Sequence, residues 1–152
     1  MGPLSPVDLP RGSTAALDTV AFVYFLERHP EHHSTASRIL KRIEEGVIAG
    51  VISSLVFAEL LVPAYRAGDT SRAGSVLRLL TNFPNLKVLD VTPQISAEAA
   101  RLRAQYGLWT PDAIHAATAL AAGADLLVTN DKDFLKVGLE ISVWRFELHH
   151  EG

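Results

Sequence analysis

The sequence predicts an α/β three-layer sandwich built on a mostly parallel sheet of four or five strands. Three observations lead there. Short apolar runs rich in β-branched residues alternate with longer segments of helical length. Several of those longer segments open on a capping residue or a Thr-Pro pair and stop at Gly or Pro. The chain has 152 residues, 48% hydrophobic and 20% charged, which is the size and composition of one domain with a full core. Strands separated by helices need crossover connections, and these give parallel pairing with helices on both faces.

Residues 1–13 hold three prolines and read as a flexible leader. Thr14 to Leu17 is a short apolar strand ending at Asp18. A helix is expected over Thr19 to Arg28, stopped by Pro30, and a second over residues 31–46, with Ile39, Leu40 and Ile43 on its buried face and Gly46 as its stop. Residues 47–53, VIAGVIS, form a strand buried on both faces. Ser53 or Ser54 caps the next helix. That helix carries Glu59 and meets Pro63. A helix over residues 69–83 and a strand over 86–91 follow. Residues 92–107 and 110–123 are two helices, each opened by Thr-Pro. LLVT, residues 126–129, is a strand, TNDKDF an acidic turn, and residues 140–146 the last strand. The domain is expected to span 14–147, with a tail at 148–152.

Composition removes several function classes. The formal net charge is −3, so any nucleic-acid contact must come from local Lys/Arg patches. There is no cysteine, which excludes disulfides and thiolate zinc sites. The N-terminus lacks the basic start and apolar core of a signal peptide. The longest apolar run, residues 47–65, is broken by Gly50, Ser53, Ser54, Glu59 and Pro63, and reads as a buried strand and helix rather than a span. The expectation is a cytoplasmic protein with no membrane contact. Nucleophile-elbow, P-loop and dinucleotide fingerprints do not occur.

In parallel sheets ligands bind beyond the carboxyl ends of the strands. Four acids fall near that edge: Asp18, Glu59, Asp112 and Asp131. Each also has a purely structural role open to it. Asp18 can cap the helix that follows, and that role is compatible with facing a ligand. Glu59 is flanked by Leu55, Val56, Phe57, Ala58, Leu60, Leu61 and Val62. It is either buried, and then in need of a partner or cation, or set on a narrow exposed stripe. Pro63 cannot donate to the Glu59 carbonyl, so the helix is expected to bend or end there. Asp112 sits in a first helical turn, where the dipole favours an acid. Asp131 suits an Asx-turn. Asp133 follows two residues on, but Leu135 and Lys136 stand where a calcium loop needs a ligand and a glycine. His115, one turn from Asp112, either orients that carboxylate or is a structural histidine. His29, His32 and His33 read as solvated, and His149 and His150 lie in the tail.

At this point the motifs carry a resemblance. ALDTVAFVYFL resembles the opening motif of PIN-domain nucleases, SSLVFAELL their second, PDAIHAATAL their third and LLVTNDKDF their fourth. In order and spacing they cover Ala15 to Trp144 and converge on the VapC-like toxins of type II toxin–antitoxin pairs. The resemblance implies a PIN-like parallel sandwich and an endoribonuclease dependent on Mg²⁺ (or Mn²⁺) that cleaves RNA with cation-activated water. It implies metal ligands at Asp18, Glu59, Asp112 and Asp131. Thr129 matches the hydroxyl of the fourth motif, and Asp133 can share or replace the role of Asp131. Val20 stands where members often have Asn. The resemblance further implies a cognate antitoxin able to place an arginine among the acids, and a homodimer, with hydrophobic surface on the first helices serving either contact.

Elementary electrostatics agrees with a cation, since crowded carboxylates repel and hard divalent ions relieve them. The expected RNA contacts are Arg38, Lys41 and Arg42 on one helical stripe, Arg101 and Arg103, and Lys132 beside the acidic turn. Two relatives of this reading stay open: a PIN-domain nuclease of RNA processing or decay without an antitoxin, and a non-catalytic PIN binding module. A signalling receiver would need an early acidic pair and a haloacid-type phosphatase a D-x-D, and neither is present.

Overall fold

Successive side chains of a strand point to opposite faces, and here that alternation divides the core in two. The computed structural model describes residues 4–147. Residues 1–3 of the leader and the 148–152 tail, with His149 and His150, lie outside the described residues. Five strands, β1 (Thr14–Leu17), β2 (Ala49–Ser53), β3 (Leu86–Leu89), β4 (Leu126–Thr129) and β5 (Val143–Arg145), form one sheet in the order β3-β2-β1-β4-β5. Every pairing is parallel. The helices are α1 (Thr19–Leu26), α2 (His33–Glu44), α3 (Leu55–Leu60), α4 (Val62–Arg66), α5 (Thr70–Thr81), α6 (Pro93–Tyr106) and α7 (Thr110–Ala121).

On one face Ala15, Leu17, Ile52, Leu126, Val128 and Trp144 pack with Phe22, Ile39, Ile43, Val56 and Leu80 of α1, α2, α3 and α5. On the other, Ala16, Val51, Leu127 and Val143 pack with α6 and α7 through Ile95, Leu102, Ala113, Ala116 and Ala117. The three-layer parallel sandwich expected from the sequence is therefore the observed fold. Gly50 shows how tightly α2 lies on the sheet. A Cβ there would stand 2.8 Å from the Cδ1 atoms of both Ile43 and Leu86, closer than packed carbons tolerate.

The helix expected after Ser54 is two helices. The first ends at Leu60 and the second starts at Val62. Pro63 lies in the first turn of the second piece, where a missing N–H is harmless. Of the two serines, Ser54 stands at the capping position without a side-chain bond, while Ser53 Oγ accepts from the Leu55 amide at 3.1 Å. Further on, α7 begins at Thr110 with Trp109, not a threonine, at the capping position. The acidic turn winds into a 3-10 helix, Lys132–Val137, that the sequence pattern did not predict. The last strand shortens to three residues.

The leader makes specific contacts with this body. Leu9 is 6% exposed. Arg42 donates from Nη1 to the Pro6 carbonyl and from Nη2 to the Leu9 carbonyl, both at 2.8 Å. Arg42 is thus withdrawn from the basic stripe expected on α2, while Arg38 and Lys41 remain exposed. Among the described residues no helix is long and apolar enough to cross a membrane.

Candidate functional site

The strand order turns back between β1 and β4. The chain leaves β1 toward β2 and leaves β4 toward β5, so the connections diverge and open a crevice at the carboxyl ends. Asp18 is the first residue after β1. Its Oδ1 accepts from the Val20 amide at 3.0 Å and caps α1. Its Oδ2 accepts from Thr129 Oγ1, the last residue of β4, at 2.5 Å. Asp18 thus caps α1 while also lining the cleft at the carboxyl edge of the sheet. The residue is 7% exposed. Burial pushes its carboxyl up to about 6; the Thr129 hydroxyl, then His115 and the Val20 amide, pull the other way, and Glu59 adds to the rise.

Glu59 lies in the last turn of α3. Its Oε1 accepts from Thr19 Oγ1 at 2.7 Å and meets His115 Nε2 at 2.6 Å. The His115 hydrogen bond holds its carboxyl below the ordinary glutamate value; burial opposes and Thr19 assists. His115 is 5% exposed, and its Nδ1 has no hydrogen-bond partner among the described residues. A buried ring held by one nitrogen is aimed by that single bond. His115 thus orients Glu59, from a different element, rather than Asp112.

Asp112 stands in the first turn of α7. Burial raises its carboxyl above the ordinary aspartate value, and Asp131 adds to the rise. Asp112, Asp131 and Asp133 can each offer a carboxylate oxygen within 4.8 Å of the others. The unpredicted 3-10 helix creates this cluster: Asp131 Oδ1 accepts from the Asp133 amide at 2.9 Å and so caps the turn that carries Asp133.

A cleft of about 420 Å³ is lined by Asp18, Thr19, Val20, Val23, Tyr24, Glu59, Asp112, His115, Asn130 and Asp131. The four acids singled out from the sequence all line it. Thr129 and Asp133 adjoin it through Asp18 and Asp131. Thr19, Tyr24 and Asn130 escaped the sequence reading. Val20, Val23 and Tyr24 do share the i, i+3, i+4 spacing of one helix face, which is the signal that points α1 at the cleft. Among the described residues no lysine or arginine lines it. Several acidic oxygens with two raised carboxyls and no internal cation suit a hard divalent ion. Of the cations expected to meet RNA, Arg101 is held by Glu98 and Glu140, and Arg103 donates to the Leu108 carbonyl at 3.2 Å.

The fold has counterparts among known proteins. The family model described as PIN domain matches residues 15–139. No curated protein matches the chain. Among solved structures, VapBC2 from Rickettsia felis, bound to a DNA fragment from its promoter, is similar at 22% identity, with 87% of this chain and 98% of that one covered and a TM-score of 0.68. DNA-bound VapBC from Salmonella typhimurium gives 22% identity, 88% and 98% coverage and a TM-score of 0.67. VapC20 from Mycobacterium tuberculosis, a sarcin–ricin loop cleaving toxin, gives 19%, 82% and 95% coverage and 0.65. At these identities the likeness is one of fold.

Proposed function

The chain belongs to the PIN-domain family, and from that premise we propose that it is a Mg²⁺- or Mn²⁺-dependent endoribonuclease, the toxin of a VapBC-like toxin–antitoxin pair. The observation that carries the reading is the meeting of Asp18, Glu59, Asp112 and Asp131, drawn from four separate elements, in one cleft that no lysine or arginine lines among the described residues.

Bound there, the divalent ion supplies charge neutralisation at the phosphate and lowers the pKa of the attacking water. Asp18, Glu59, Asp112 and Asp131 would hold it, with Asp133 as a further donor beside Asp131. The chain's own part is orientation. The Val20 amide and the Thr129 hydroxyl fix the Asp18 carboxylate from both sides. Thr19 and His115 both bind Oε1 of Glu59, which leaves Oε2 to face a ligand.

The toxin assignment draws support from the fold of the VapBC structures and from a narrow groove beside the cleft. Val23, Leu26, Leu60, Leu61, Pro63 and Val76 line that groove together with the charged Glu27 and Arg72, while Tyr65, 61% exposed, stands on α4 nearby in sequence. An antitoxin segment, or a second copy in a homodimer, is the partner this reading assigns to such a surface, in the cytoplasm.

The test is purified protein on mixed structured RNAs with Mg²⁺, Mn²⁺ or EDTA. Cleavage is expected with the ions only, giving 5′-phosphate and 3′-hydroxyl ends, and is lost in Asp18→Asn and Glu59→Gln. Activity indifferent to EDTA and to both substitutions, or 2′,3′-cyclic ends, would sink it. Induced expression in a bacterial host, alone and with the neighbouring small reading frame, separates a toxin from a housekeeping nuclease: growth arrest relieved by the neighbour is the expected result.

A further inference from the structure

Among the residues lining the cleft, two carry a hydroxyl, Thr19 and Tyr24. Thr19 is spent on Glu59. The disposition of the Tyr24 proton follows from a chain of bonds that admits one solution. The Glu147 amide can only donate, and it lies 3.0 Å from Asn130 Oδ1. That contact fixes the Asn130 side-chain amide, because the flipped form would set two N–H groups face to face. Asn130 Nδ2 therefore faces the Tyr24 hydroxyl, at 2.7 Å. It donates, and the phenol oxygen accepts. The phenol's own hydrogen must then point elsewhere.

The surroundings hold this arrangement in place. The Tyr24 ring lies 4.6 Å from His29, 4.9 Å from His32 and 5.0 Å from Phe146, ring centre to ring centre. Arg145 donates to the Asn130 backbone carbonyl from Nε and Nη2, each at 3.4 Å. Burial, with Glu147 and Asp18 nearby, pushes the phenol above its ordinary value although Asn130 opposes, so it keeps its proton. Its neighbours in the cleft, Asp18, Glu59, Asp112 and Asp131, are acceptors.

From this we infer that the Tyr24 hydroxyl is a substrate-binding donor, aimed by Asn130 at a non-bridging phosphate oxygen of the strand in the cleft. The inference rests on the nuclease reading above and adds a residue that binds rather than reacts. A phosphodiester entering a pocket of carboxylates has a neutral donor to meet there in addition to the cation, and an oriented hydroxyl loses little freedom on binding.

Tyr24→Phe and Asn130→Asp test it, singly and together. Phenylalanine keeps the ring contacts and removes the donor. Aspartate keeps the contact with the Glu147 amide, but its second oxygen accepts a hydrogen bond from the phenol and so turns that donor away from the cleft. The measurements are KM and kcat on a single-stranded RNA in Mg²⁺, the Kd of the same RNA in Ca²⁺ by fluorescence anisotropy, and thermal midpoints. Expected is a roughly tenfold rise in KM and Kd for Tyr24→Phe, with kcat changed less and the midpoint held. Asn130→Asp is expected to show the same loss, and to add little in the Tyr24→Phe background. Unchanged KM and Kd in Tyr24→Phe overturn the inference. So does an Asn130→Asp loss of equal size in both backgrounds, which would trace it to added charge. A wild-type chain that cleaves no RNA with either ion overturns the nuclease reading instead.

Discussion

Thr129 Oγ1 donates to Asp18 Oδ2 across 2.5 Å, joining the ends of two neighbouring strands at the point where their connections part. The bond opposes the burial that raises Asp18. Thr129→Val keeps the shape and removes the donor. Asp18 then holds its proton more strongly, and a proton competes with a metal ion. The expected result is a tenfold or greater loss of Mg²⁺ affinity, on the order of other groups that orient metal ligands. The acid limb of the pH–rate profile moves up in pH. A Mg²⁺ titration at pH 6 and pH 8 checks it, with the larger defect at pH 6.

Asp18→Asn should stabilise the metal-free protein. The sign follows from the raised carboxyl. Between its unfolded value near 3.8 and its folded value of about 6, the native state binds the proton more tightly, so wild-type stability falls as pH rises through that window. Above it the ionised form costs at most about 3 kcal/mol, which asparagine does not incur. Thermal unfolding in EDTA at pH 4 and pH 7.5 measures it. The variant's advantage is present at pH 7.5 and small at pH 4. Saturating Mg²⁺ reverses the order by stabilising the wild type.

His115→Leu acts on Glu59. The carboxyl of Glu59 is held below its ordinary value mainly by His115, so that contribution to stability is present above the ordinary value of 4.5 and is lost as pH falls below it. The leucine variant is expected to lose roughly 1–3 kcal/mol at pH 7. Its deficit relative to wild type narrows on acidification toward pH 3.5. Urea titrations at the two pH values give the comparison.

Asp131→Asn and Asp133→Asn address the fourth acid. Both carboxylates approach Asp112, but Asp133 also lies 3.7 Å from Lys136 Nζ. Loss of Asp131 is expected to weaken Mn²⁺ binding about tenfold, loss of Asp133 less, and loss of both to abolish it. Calorimetric titration of each variant with Mn²⁺ reads this out. A larger defect in Asp133→Asn would reverse the assignment.

The fold was legible because its strands are short β-branched runs between segments of helical length, and such a pattern has few solutions. Asp18, Asp112 and Asp131 were legible because each ends a strand or opens a helix at the edge where parallel sheets bind ligands, and Glu59 because it is the one acid in an apolar helical segment. Pro63 disclosed the interruption after Glu59, since a missing N–H is a local fact. What the chain hid was tertiary. KDFLKV carries no strong helical signal, and its 3-10 turn depends on the Asp131 cap. Arg42 looked like a free cation because its acceptors, the carbonyls of Pro6 and Leu9, are 36 and 33 residues away. His115 reads from the sequence as either a partner of the nearer acid or a structural histidine, because the bond that decides its role crosses 56 residues. Tyr24 gave no chemical signal at all, for the bonds that occupy its oxygen come from Asn130 and, through it, Glu147.

The interruption at Leu61 has a mechanical meaning. A rigid rod from Leu55 to Arg66 would transmit any push on Tyr65 straight to the glutamate. The break at Leu61 sets Tyr65 on a separate helix, while Glu59 on α3 is held through Thr19 and His115. The aim of that glutamate thus rests on α1 and α7, so the outer face of α4 is free to diverge in sequence without detuning it.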